Sequence, residues 1–77
     1  MEKEYLDNVI EIVSQEIKRC LEEKEKNNND YNRGIVTGMY YVADSLMDEI
    51  KVQNDVNDTN DYKEFIELVE NLEKHIN

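Results

Sequence analysis

The chain has 77 residues with no proline and only two glycines. Its reversals must therefore come from asparagine and aspartate, whose short side chains bond their own backbone and tolerate turn conformations. Two clusters supply them: Asn27, Asn28, Asn29 and Asp30, and the run from Asn54 to Asp61. They divide the chain into three segments, each with apolar residues at helical spacing. No alternating run of β-branched residues reaches four positions, so strands are not expected.

The first segment is expected to be helical over 2–26. Leu6, Ile10, Val13, Ile17 and Cys20 recur at 4, 3, 4, 3, with Val9 and Leu21 widening the stripe. Tyr5 and Ile12 fall off that stripe, which calls for a second neighbour or a contact surface. The second helix is expected over 31–53, capped by Asn29 or Asp30. Ile35, Met39, Val42, Leu46 and Ile50 read as its central stripe, with Val36, Tyr40, Ala43 and Met47 to one side. Gly34 and Gly38 share one face, and because glycine costs about 1 kcal/mol in a helix interior, they suggest close packing against the first helix. The third helix is expected over 62–75, opened by Asp61 and Glu64 as a capping-box variant. Tyr62, Phe65, Ile66, Val69, Leu72 and Ile76 line one of its faces. The expected fold is all-α and forms a single domain over 1–77. Two helices of about 36 Å form an antiparallel hairpin closed by a shorter third, a three-helix bundle small enough for a homodimer to complete its core.

Composition narrows the function. Nineteen acids against nine bases give a net charge of −10, which disfavours direct nucleic-acid binding because counterion release needs clustered Lys and Arg. A single cysteine excludes a disulfide framework and a cysteine-based zinc site. No apolar run approaches a membrane span and no signal-peptide pattern follows Met1, so the expected location is cytoplasmic, with no membrane partner.

Catalytic, cofactor and metal sites are not expected. Asp55-x-Asn57-x-Thr59 opens like a calcium loop, but Asn60 replaces the glycine of the bend and Ile66 replaces the bidentate glutamate. His75 is the only histidine, Cys20 lies on an apolar stripe, and Ser14 and Ser45 have no histidine to activate them. Glu22-x-x-Glu25 resembles half of the magnesium pattern of all-α nucleotide pyrophosphatases; Asp44-x-x-x-Asp48-Glu49 has the wrong spacing for the other half. Ser14-Gln15-Glu16-Ile17 resembles the signature of helical-hairpin phosphatases acting on sporulation response regulators, but Lys18 stands at the position of the acid that carries their activity.

The excess charge is uneven: −3 over residues 1–26, −2 over 27–53 and −5 over 54–77. Asp55, Asp58 and Asp61 lead into Glu64 and Glu67, a negative ribbon suited to a basic partner. On the middle helix, Asp44 and Asp48 share a polar side with Arg33, Thr37 and Lys51. Tyr40 and Tyr41 flank it, and two adjacent tyrosines point about 100° apart, so both cannot enter one core.

The segment Tyr31-x-x-Gly34-x-x-x-Gly38-x-x-x-x-Ala43, in a short, acidic, Asn-rich, Pro-free chain, resembles the small helical proteins of phages and mobile elements, among them anti-CRISPR and other anti-defence inhibitors. The resemblance implies stoichiometric inhibition, in some cases by DNA mimicry. The leading expectation is a non-enzymatic inhibitor that blocks a basic, nucleic-acid-binding surface of a host protein through Tyr40, Tyr41, Asp44, Asp48, Asp55, Asp58, Asp61, Glu64 and Glu67. The alternatives are a self-assembling adaptor that uses Tyr5, Ile12, Val36 and Met47, and, third, a magnesium-dependent nucleotide hydrolase.

Overall fold

In the computed structural model, residues 3–53 and 62–76 are described; Asp55, Asp58 and Asp61 lie outside them. Three helices, α1 (Lys3–Lys26), α2 (Asp30–Gln53) and α3 (Lys63–Ile76), each pack against the other two as a three-helix bundle. The boundaries agree with the sequence expectation to within one residue.

The first reversal is fixed by asparagine chemistry. Asn29 caps α2: its Oδ1 accepts from the Asn32 backbone N–H at 2.8 Å, and its carbonyl accepts the Arg33 N–H at 2.9 Å. Asn32 ties the cap back to the end of α1, donating from Nδ2 to the carbonyl of Asn27, one residue past that helix, at 2.8 Å. A connection this short makes α1 and α2 antiparallel neighbours. Tyr62 Oη donates to Asp7 Oδ1 at 2.9 Å near the start of α1, and Lys24 Nζ donates to the His75 carbonyl at 3.3 Å near its end. These two bonds run α3 alongside α1 in the same direction.

The core takes Leu6, Ile10, Ile17 and Cys20 from α1, the stripe read from sequence, and Phe65, Val69 and Leu72 from α3 together with Tyr62. On α2 the sequence reading needs correction. The buried residues are Val36, Ala43, Leu46 and Ile50, whereas Ile35 and Val42, expected in the central stripe, are 40% and 56% exposed. The inward face is turned by roughly 50° at 100° per residue, because α2 must meet α3 as well as α1. Tyr40 and Met47 pack against the core on the side of that turn.

Two further expectations fail. Gly34 and Gly38 are exposed, and a Cβ added at either would meet nothing within 4 Å, so no neighbouring backbone requires them. The apolar flank offered for self-assembly is not a surface, since Val36 is 1% exposed and Met47 half-buried. Tyr5 and Ile12 of that set are exposed on α1.

Candidate acidic seam between α2 and α3

Tyr40 projects from α2 with its ring partly buried against the core. Burial raises its phenol pKa above the ordinary 10.0, and Glu73 of α3 and Asp44 of α2 push it further, followed by Tyr41 and Asp48. Both effects disfavour the phenolate, the first by desolvation and the second by like charge. Three carboxylates from two helices, Glu73 first, thus act on this hydroxyl. Asp44 is half-buried, while Asp48 and Glu73 are exposed.

The two tyrosines divide as their offset requires. Their ring centroids lie 6.0 Å apart at 56°, yet only Tyr40 leans over the core. Tyr41 stands on the outer side of α2, at the edge of the acidic group. Arg33, on the same polar side, pairs with Asp30 one turn earlier, and Thr37 bonds back to the Arg33 carbonyl at 3.0 Å.

Glu64 and Glu67 are exposed, but Glu64 faces another groove. Its Oε1 lies 3.3 Å from Lys18 Nζ of α1. Both side chains are well exposed, so the pair adds little stability, but it balances part of the negative ribbon. Glu73 stands nine residues beyond Glu64, which is about half a revolution around the helix, and from there its charge acts on Tyr40 of α2. Glu73 is the residue missed in the sequence. Its repeat with Glu64, Glu67 and Glu70 walks around α3, and only the packing shows which member acts on Tyr40.

The remaining chemistry-bearing groups sit elsewhere. Cys20 is buried with its Sγ 3.2 Å from the Ile17 carbonyl, and burial pushes the thiol pKa up. Glu22 and Glu25 border an open groove of about 520 Å³ with Lys18, Lys24 and His75, and Glu22 lies 3.6 Å from Lys26. The His75 Nδ1 lies 2.9 Å from the Asn71 carbonyl, where a ring N–H donates. Among the described residues, no three His, Cys, Asp or Glu side chains converge as a metal site requires. No helix among them is long and apolar enough to cross a membrane.

Compared with known protein families, characterised proteins and solved structures, the chain matches none.

Proposed function

We propose that this protein is a non-enzymatic binding protein whose acidic α2–α3 seam occupies a basic, nucleic-acid-binding surface of another protein. The observation that carries the reading is the half-buried Tyr40, packed on the core at the α2 surface, on whose phenol Glu73, Asp44 and Asp48 act by charge. A partly buried tyrosine offers apolar area and a hydrogen-bonding tip, the combination favoured at binding hot spots. Carboxylates around it attract Lys and Arg, speed encounter and repel other anions. The net charge of −10 acts in the same direction over longer range. Asp55, Asp58 and Asp61 precede α3 in sequence and add to this charge. A partner surface built for phosphates would be blocked by such a seam, which is how anti-defence inhibitors of the kind this chain resembles work.

The test is capture from the source cell at low and high salt, comparing the wild type with an Asp44→Lys, Asp48→Lys, Glu73→Lys variant. The expected result is a basic protein released by salt, displaced by added nucleic acid and absent from the variant's capture. Capture indifferent to salt and to charge reversal at the seam would refute the reading. The same reversal at Asp58, Asp61 and Glu64 measures the contribution of the loop and the start of α3.

A further inference from the structure

The outer side of α2 carries a second apolar stripe that the bundle does not use. Tyr31, Ile35 and Val42 lie on it with Gly38 and Ser45, at spacings of 4, 3, 4, 3, the rhythm by which one helix packs along another. Tyr41 and Gly34 border it. Tyr31 and Tyr41 are 76% and 66% exposed, and Ile35 and Val42 join them at the surface. Across this face from residue 31 to 45 there is no charged side chain, although 36% of the chain is charged. Ser45 bonds back to the Tyr41 carbonyl at 3.0 Å, so covering it strands no hydroxyl.

We infer that this face is a homodimer interface in which α2 packs antiparallel against α2 of a second copy, with the two-fold axis at Gly38. Self-complementarity selects that occupant and that register. With the axis at residue 38, Ile35 of each copy meets Val42 of the other, both on one flank of the stripe. On the opposite flank, Tyr41 covers Gly34 of the other copy. Tyr31 at each end covers Ser45, and Gly38 meets Gly38 where the backbones approach most closely. Every large side chain thus faces either another apolar side chain or a small residue, as an isologous interface requires. The glycines, which nothing within one copy needs, provide the open space.

Charge and area agree with a second copy. The α2 positions of this face carry no charge between residues 31 and 45 and so select no basic partner, while Glu16, Arg19 and Glu23 of α1 line the groove beside Tyr31 and Ile35. With aromatic side chains at about 150–250 Å² each, the exposed fractions put roughly 500 Å² on this face. Two copies then bury about 1,000 Å², the lower bound for a specific interface, as in a weak, transient dimer.

The test is sedimentation equilibrium from about 10 µM to about 1 mM at low and high salt, with helicity of each variant checked by circular dichroism. The mass is expected to rise from 9.2 kDa toward twice that value. Salt should strengthen the association by screening the repulsion between acidic copies, opposite to its effect on capture of a basic partner, so the two proposals fail separately. Val42→Glu, which buries a charge in the interface, and Gly34→Leu, which fills the space under Tyr41, should each weaken association at least tenfold. In a Cys20→Ala background, mixing Ile35→Cys and Val42→Cys chains should give the mixed disulfide in preference to either homodisulfide, since only the mixed pair lies within disulfide reach. A monomer at the highest concentration in high salt, a dimer indifferent to both substitutions, or homodisulfides in place of the mixed one would overturn the inference.

Discussion

Replacing both helix glycines by alanine should stabilise the isolated protein. Each lies inside α2, past the Asn29 cap, with no left-handed backbone to demand glycine. The added methyl groups would meet nothing within 4 Å, so no steric term opposes the gain in helix propensity. That gain is about 0.8–1.0 kcal/mol per site, partly through lower entropy of the unfolded chain. With no neighbour shared between the two methyl groups, the Gly34→Ala, Gly38→Ala double variant should gain about 1.5–2 kcal/mol. In a domain of this size each kcal/mol moves Tm by about 4–8 °C, so the expected rise is roughly 6–16 °C. The assay is thermal unfolding followed by circular dichroism at about 2 µM, where weak association adds nothing to stability. A double variant that melts at or below the wild type would refute the reasoning, because it would mean a neighbour occupies the space beside α2. At high concentration the ranking should narrow, since the wild type gains from dimerisation and the variant, with methyl groups at the close approach, does not.

Three other outcomes follow from the core and the seam. Leu72 is fully buried where α3 closes the bundle, and Leu72→Ala should cost about 2–5 kcal/mol, enough to leave much of so small a protein unfolded in a denaturant titration. The Tyr40 phenol should titrate above its ordinary 10.0; the near-ultraviolet phenolate signal lost in Tyr40→Phe isolates it, and Glu73→Gln should bring its midpoint down. The Cys20 thiol pKa is raised in the folded protein above the ordinary 9.0, so its stabilisation is complete below pH 9 and is lost as pH climbs through the folded value. The stability difference between wild type and Cys20→Ala should accordingly shrink above pH 9, and a difference that widens there would contradict burial of the neutral thiol.

Much of the architecture is local in origin and could be read directly. Helix α1 has a single apolar stripe, so the inward placement of Leu6, Ile10, Ile17 and Cys20 followed from spacing alone. The same holds for Phe65, Val69 and Leu72 on α3. The cap at Asn29 was legible because its chemistry involves only residues within three positions. Of the acidic residues singled out, Asp44 and Asp48 act on Tyr40 by charge, while Glu64 turns to Lys18 of α1. Glu73 was not singled out because a glutamate at every third position offers no spacing signal.

The amino-acid order by itself determined three helices, where the first turn falls, and which faces of α1 and α3 go inward, because each depends on neighbours a few residues apart. It did not determine which apolar stripe of α2 is buried. Spacing identifies a stripe but not the direction of the helices beside it, and α2 carries apolar residues both inside and out. Only the packing of α2 against both other helices, with Tyr40 and Met47 against the core, turned Val36 and Ala43 inward, left Ile35 and Val42 in water, and put the Glu73 charge within range of the tyrosine. Those outcomes rest on residues distant in sequence, whose meeting is a property of the packed chain.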